Sequence, residues 1–190
     1  ARLRENEDAM AALADREIDR FVDSGSCDLI GDFANPFTFF IIANLLGVPD
    51  EDQEEIRQQF QGRKGTVGST SKTMTHSPLQ YLYETLSAYV EDRRREPRGD
   101  VMTGMAQATF EDGSLPEVID VVRVAANLFA AGQETTVRLL GTSFQLIAER
   151  PELQDLLRSD PSAITNFVEE CLRYESPVKG DFRLARTATK

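Results

Sequence analysis

A carboxylate and two hydroxyls, Glu134, Thr135 and Thr136, follow the small pair Ala131-Gly132 inside the apolar stretch Phe129-Ala130-Ala131-Gly132-Gln133-Glu134-Thr135-Thr136. An acid beside an alcohol can relay protons through water, and a small pair leaves space along a helix for a ligand. The same residues also have an architectural explanation. Gly132 costs about 1 kcal/mol relative to alanine within a helix, yet it lets another helix approach closely. Thr135 and Thr136 can bond back to the preceding turn, and Glu134 stands four residues before Arg138, the spacing of a surface ion pair. Spacing alone leaves both explanations open.

A second acid–base spacing lies downstream in Glu169-Glu170-Cys171-Leu172-Arg173-Tyr174-Glu175-Ser176-Pro177. On a helix, Glu170 and Arg173 have the separation of an ordinary exposed pair. The tract Gly62-Arg63-Lys64-Gly65-Thr66-Val67-Gly68-Ser69-Thr70-Ser71 has the composition of a phosphate cradle. Gly68-Ser69-Thr70 nevertheless lacks the lysine of GxxxxGK[ST], and a helix rather than a strand precedes it, so the tract reads as a connector. Cys27 and Cys171 form no CxxC spacing, which indicates neither a disulfide framework nor a zinc site.

The elements that must position these residues are helical. Met10, Leu13, Ile18 and Phe21 recur at helical spacing from Asn6 to Phe21, and Gly25 terminates the pattern. After Asn35-Pro36 a helix apolar on nearly every face runs to Gly47-Val48-Pro49 and is expected to be buried. A third helix covers roughly Asp50 to Gln61, a fourth runs from Pro78 to about Arg95, and Gly99 to Phe110 forms a further amphipathic piece. Ser114-Leu115-Pro116-Glu117 has the pattern of a capping box with proline in the first turn, and predicts the start of a long helix that meets no proline until Pro151. At 1.5 Å per residue, about 35 residues make a rod of roughly 50 Å. Asp160-Pro161 predicts the start of the helix that carries Glu170 and Arg173. The fold class is mainly α, with a short β segment expected in the last dozen residues.

Composition narrows the classes of function. The 190 residues carry a formal net charge of -11 and a single histidine, which argues against nucleic acid or an anionic membrane as a partner. The one dense basic run, Arg93-Arg94-Arg95, is flanked by Glu91, Asp92 and Glu96 and reads as a solvated helix end. No 18-residue apolar run and no signal peptide are evident, and a cytoplasmic location is the simplest expectation.

Taken in order, Ala131-Gly132-Gln133-Glu134-Thr135 and Glu170-Cys171-Leu172-Arg173 resemble the [AG]-G-x-[DE]-T and E-x-x-R motifs of the cytochrome P-450 family of heme-thiolate monooxygenases. Asn44-Leu45-Leu46-Gly47-Val48-Pro49, Gly99-Asp100-Val101-Met102 and Tyr174-Glu175-Ser176-Pro177-Val178 agree with the soluble bacterial branch. The resemblance implies a P-450 fold in its middle portion, including the long distal helix. It implies that Ala131 and Gly132 leave room for dioxygen, and that Glu134 and Thr135 deliver protons so that the O–O bond breaks heterolytically. Glu170 and Arg173 would form a buried structural lock, costly to break from either side. Arg186 or Arg183 would meet a heme propionate, as an always-charged guanidinium suits a carboxylate. Asn127, Leu128 and Val178, with the tract Gly62 to Ser77, would line a pocket for an apolar small molecule. Electrons would come from NAD(P)H through a ferredoxin or flavoprotein reductase.

The match also has a gap. The family's thiolate loop, F-x-x-G-x-x-x-C-x-G, is absent: Cys27 follows Phe21 and Gly25 at the wrong spacing, and Cys171 lies inside the E-x-x-R helix. No metal ligand is therefore expected within the chain. Residues 1–190 are expected to be part of a catalytic domain, without its N-terminal part and its ligand-loop part, and inactive in isolation. Two rivals stay open: a non-catalytic helical module that binds a ligand or a partner, and a degenerate homologue without heme.

Overall fold

A computed structural model describes residues 6–61, 78–180, 184, 185 and 187. Every regular element among them is a helix: α1 Glu7–Asp19, a 3-10 turn Val22–Ser24, a π turn Leu29–Ala34, α2 Asn35–Leu46, α3 Asp50–Gln61, α4 Pro78–Arg95, α5 Val101–Ala106, α6 Val118–Glu149, α7 Pro151–Ser159 and α8 Ala163–Tyr174. No strand occurs among the described residues, and the β segment expected near the C-terminal end falls largely outside them. The tract Gly62 to Ser77 also lies outside them.

Local chemistry explains most of the boundaries. Pro36 stands in the first turn of α2, where its missing N–H costs no hydrogen bond. Gly47 ends the helix with φ 80°, a left-handed conformation that glycine adopts without strain. Asp100 caps α5 by accepting a hydrogen bond from the Thr103 backbone N–H at 2.7 Å. The piece expected over Gly99 to Phe110 is shorter, ending at Ala106.

The long helix begins at Val118 rather than at the capping box. The Ser114 backbone N–H and hydroxyl both donate to Asp112 Oδ1, at 2.9 and 2.6 Å, and the Ser114 carbonyl accepts from the Phe110 N–H at 2.9 Å. Ser114 thus closes a turn instead of opening a helix, an instance of local side-chain bonding that competes with helix formation. Asp160 behaves similarly: its carboxylate accepts from the Ser162 N–H and hydroxyl, and α8 starts two residues beyond the expected Pro161.

The chain forms two compact units, Ala1–Gln133 and Glu134–Lys190, with the division inside α6. The first holds the apolar core, in which Phe39, Phe40, Ile42, Ala43 and Leu46 of α2 pack among Leu86, Val90, Met102, Val122, Ala125 and Phe129. Burying each large side chain of this kind contributes roughly 1.5–3 kcal/mol. The Phe39 and Phe129 rings meet edge to face with centroids 5.3 Å apart, joining α2 to α6. In the second unit, Ser143 and Cys171 are the buried side chains among the described residues.

Two readings from the sequence are corrected. The π turn continues into α2, so Leu29–Leu46 is an 18-residue helical stretch of mean hydropathy 1.5, long and apolar enough by composition to cross a membrane; half of it is buried inside the fold. Arg93-Arg94-Arg95 is not simply a solvated end. Arg93 is 2% exposed and donates to Asp100 Oδ2 at 2.8 Å, Asp92 Oδ2 at 2.7 Å and the Gly47 carbonyl at 2.5 Å. Arg94 donates to the carbonyls of Ala106 and Pro116 at 3.1 and 2.6 Å. The arginines tie together helix ends that would otherwise leave carbonyls unpaired. Only Arg95, exposed, matches the sequence reading.

Candidate functional site

The small pair and the acid–alcohol pair lie on consecutive turns of α6, which stays helical through both. On its core side, within the first unit, Val121, Val122, Ala125, Ala126 and Phe129 are buried. The open side presents Val124, 58% exposed, with Asn127, Leu128 and Ala131 also exposed. Positions 124, 128 and 131 step by four and three, so they form one stripe. Contiguous exposed apolar residues can mark an interaction surface.

Gly132 is half-buried and faces α2: a Cβ built on it would lie 3.1 Å from Ile42 Cδ1 and 3.5 Å from Ile42 Cγ1. The close approach of the architectural explanation is present at this residue. Its ion pair is present too, for Arg138 Nη2 donates to Glu134 Oε1 on the exposed surface of α6. Arg138 Nη1 also makes a long contact of 3.4 Å to the Pro177 carbonyl, linking α6 to the turn after α8 within the second unit. Thr135, next on the helix, is half-buried, and Thr136 is exposed.

Glu170 and Arg173 are paired as the sequence predicts, but not buried. Arg173 Nε donates to Glu170 Oε2 at 2.7 Å and Nη2 to Oε1 at 2.6 Å, a two-pronged guanidinium–carboxylate contact. The Arg173 guanidinium holds the Glu170 carboxyl below its ordinary value. The two side chains are 61% and 70% exposed, the state that the spacing alone predicts. Among the described residues, nothing packs over this face of α8. Val178, 55% exposed, follows in a turn where the Ser176 hydroxyl donates to its carbonyl at 3.0 Å. Arg183 and Arg186 lie outside the described residues.

Whether the residues fit a heme has two answers. The stripe Val124–Leu128–Ala131 is apolar and exposed, the chemistry that the face of a planar macrocycle requires. The two cysteines are not part of this stripe: Cys27 is exposed in the loop before the π turn, and Cys171 is buried within α8. No cluster of three or more histidine, cysteine or acidic side chains suited to a metal ion occurs among the described residues.

One participant and one contact went unrecognised in the sequence. Ile42 is one apolar residue in a run of them, with nothing local to mark it as the residue opposite Gly132. Arg138 was legible as a partner for Glu134, but its link to Pro177 crosses 39 positions.

No family model matches the chain. Among curated proteins, "Biotin biosynthesis cytochrome P450" of Bacillus subtilis (strain 168) is 31% identical over 172 residues, which is 88% of this chain and 43% of that protein. "Vitamin D(3) 25-hydroxylase" of Pseudonocardia autotrophica is 30% identical over 177 residues, 93% of this chain and 43% of that protein. Among solved structures, Mycobacterium marinum cytochrome P450 CYP150A6 in the substrate-free form matches with a TM-score of 0.85 and 49% identity, over 100% of this chain and 43% of that one. P450BioI in complex with an acyl carrier protein carrying hexadec-9Z-enoic acid matches with a TM-score of 0.77 and 27% identity, over 92% and 45%. The chain thus spans less than half the length of these relatives.

Proposed function

Since the chain belongs to the cytochrome P-450 family, we propose that it forms the distal side of the active site in a heme-thiolate monooxygenase that inserts one oxygen atom into an apolar organic substrate. The observation that carries this reading is the placement of Glu134 and Thr135 on one uninterrupted helix, directly after a small pair and an exposed apolar stripe. Heme, when bound, supplies dioxygen activation at a thiolate-ligated iron. The thiolate belongs to a part of the relatives' length that this chain does not span. Residues 1–190 are accordingly a partial catalytic domain, inactive in isolation.

The chain's own residues then act as follows. Val124, Leu128 and Ala131 exclude water and hold apolar surface, with Asn127 and Val178 contributing to the substrate pocket. Gly132 and Ala131 keep the groove open for dioxygen. The Thr135 hydroxyl would pass its proton to the reacting oxygen and be reprotonated along the route that begins at Glu134, whose exposed carboxylate is open to solvent. Glu170 and Arg173 position the turn that follows α8, and Arg183 or Arg186 meets a propionate. Electrons arrive from NAD(P)H through a ferredoxin or flavoprotein reductase, in the cytoplasm.

Replacing Thr135 with alanine in the whole heme-bearing protein is expected to divert reducing equivalents from product to hydrogen peroxide. Product formed per NAD(P)H should fall by one to two orders of magnitude, roughly the lower end of what positioned proton transfer contributes. Unchanged coupling would remove the proton route from this reading.

A second reading has an observation in its favour. Gly132 against Ile42 and Glu134 with Arg138 are each accounted for by packing and surface pairing, as in a non-catalytic helical module or a homologue without heme. The absorption spectrum of the purified whole protein distinguishes them. A reduced, carbon monoxide-bound heme-thiolate band supports the enzyme, and a protein without heme supports the module.

A further inference from the structure

A cavity of about 450 Å³ lies in the first unit, between the end of α1, the π turn and α3. That volume falls within the range of small-molecule sites, and none of its lining residues belongs to the α6 stripe. Arg20 and Arg57 line it together with Ser26 and Asp32, while Phe21 and Pro36 supply apolar surface. Guanidinium, hydroxyl and carboxylate groups thus converge on one space, in a chain of net charge -11.

The two arginines are held in place without using all their donors. Arg20 donates from Nη1 to Glu17 Oε2 at 3.0 Å, and the Glu17 side chain is fully enclosed and paired also with Arg16 at 2.9 Å. Arg57 donates from Nε and Nη2 to Glu54 at 2.9 and 2.6 Å. Among the described residues, Arg20 Nε and Nη2, Arg57 Nη1 and the Ser26 hydroxyl have no protein acceptor. A guanidinium presents its donors in a fixed fork, so a carboxylate on one edge leaves another edge for a second oxyanion. The Glu54 carboxyl is held down first by its bond from Arg57 and further by the charge of Arg20, so the charges at the end of α1 and on α3 act on one another. Arg16, Arg20 and Arg57 stand against Glu17 and Glu54, and Asp32 brings the local balance to zero. An anion entering here escapes much of the repulsion that so acidic a chain exerts.

We propose that this cavity is a site for a small hydroxylated oxyanion, whose phosphate or carboxylate end bonds to Arg20, Arg57 and Ser26 and whose hydroxyl donates to Asp32. Asp32 Oδ2 accepts from the Asp28 backbone N–H at 2.8 Å, and Oδ1 has no partner among the described residues. A free carboxylate oxygen repels a bare anion and accepts from a donor, which is why the ligand class carries a hydroxyl.

The test titrates the whole protein with glycerol 3-phosphate, glycerate and inorganic phosphate at constant ionic strength, followed by calorimetry. Glycerol 3-phosphate or glycerate should occupy one site with a dissociation constant on the order of 1 mM, which a few charge-assisted hydrogen bonds at an open cavity can supply. The tighter of the two identifies the end group. Arg57→Lys keeps the charge but loses the fork, and should weaken binding about tenfold. Asp32→Ala separates a built site from general attraction: it should weaken the hydroxylated ligand several-fold and tighten inorganic phosphate. If no anion saturates, or all three respond alike to Asp32→Ala, the proposal is overturned. If Arg57→Lys does not fold, Ser26→Ala changes only an exposed hydroxyl and should weaken binding several-fold; unchanged affinity overturns the site. Binding by a preparation without heme counts equally, so failure of the function proposed above leaves this test standing.

Discussion

Two guanidinium–carboxylate pairs, one in each unit, have nearly the same Nε–carboxylate distance and differ in their surroundings. Arg93 Nε meets Asp100 Oδ2 at 2.8 Å, and Arg173 Nε meets Glu170 Oε2 at 2.7 Å. Arg93 is buried at the junction of α2, α4 and α5, where it also serves the Gly47 carbonyl. Burial pushes the Asp100 carboxyl up, but hydrogen bonds from Thr103 and Arg93 more than offset it and leave it below its ordinary value. Arg173 stands on the open face of α8, with water as the alternative partner for every donor. The difference teaches that distance does not set the energetic weight of an ion pair. What matters is whether a broken pair can be rehydrated.

Breaking the buried pair should have the largest effect. Arg93→Ala leaves Asp100 in place with its main counter-charge gone and the Gly47 carbonyl without its donor. It is expected to cost on the order of 3–5 kcal/mol, read as a lower urea midpoint with an unchanged slope. A cost near zero would mean that water reaches Asp100 and that the two pairs are alike after all.

An intermediate case sharpens the scale. Arg57 donates to both oxygens of Glu54, at 2.9 and 2.6 Å, and holds its carboxyl down to about 2 from an ordinary 4.5. Because the folded-state value is the lower one, the pair contributes stability above about pH 4.5 and loses it as pH falls through about 2. The Glu54 side chain is 46% exposed, so solvent screening leaves less than about 1 kcal/mol. Glu54→Gln should flatten that part of the acid limb in urea midpoints taken at successive pH values. A limb as steep as in the parent chain would place the acid sensitivity elsewhere.

The smallest effect is expected at the exposed pair. Glu170→Gln in the 190-residue chain should leave the unfolding midpoint where it was. A drop like that of Arg93→Ala would show that another surface covers α8 in solution, and would restore the lock implied by the family resemblance.

Much of the fold was legible because its signals are local. Pro36, Gly47, Pro78 and Pro151 mark helix ends through φ restriction and missing donors, which act within one turn whatever the rest of the chain does. The helical period of Val122, Ala125 and Phe129 likewise identified a core face. Where two local signals competed, the reading failed: Ser114 had a capping pattern ahead of it and Asp112 behind, and the nearer carboxylate won. Of the candidate site, the residue types and their order along α6 and α8 were legible. The partner of Gly132 was not, since Ile42 is 90 positions away in a run of equivalent apolar residues.

The sequence by itself determined a helical chain, the positions of its breaks, and the placing of an acid–alcohol pair and an E-x-x-R pair on two separate helices. Only the tertiary structure decided which charges are buried and which face of Gly132 is crowded. The run at Arg93 looked solvated and is enclosed; the pair at Glu170 and Arg173 has the spacing of a surface pair and stands open. The physical reason is that spacing along a helix follows from the backbone alone, whereas burial depends on what distant parts of the chain bring against it.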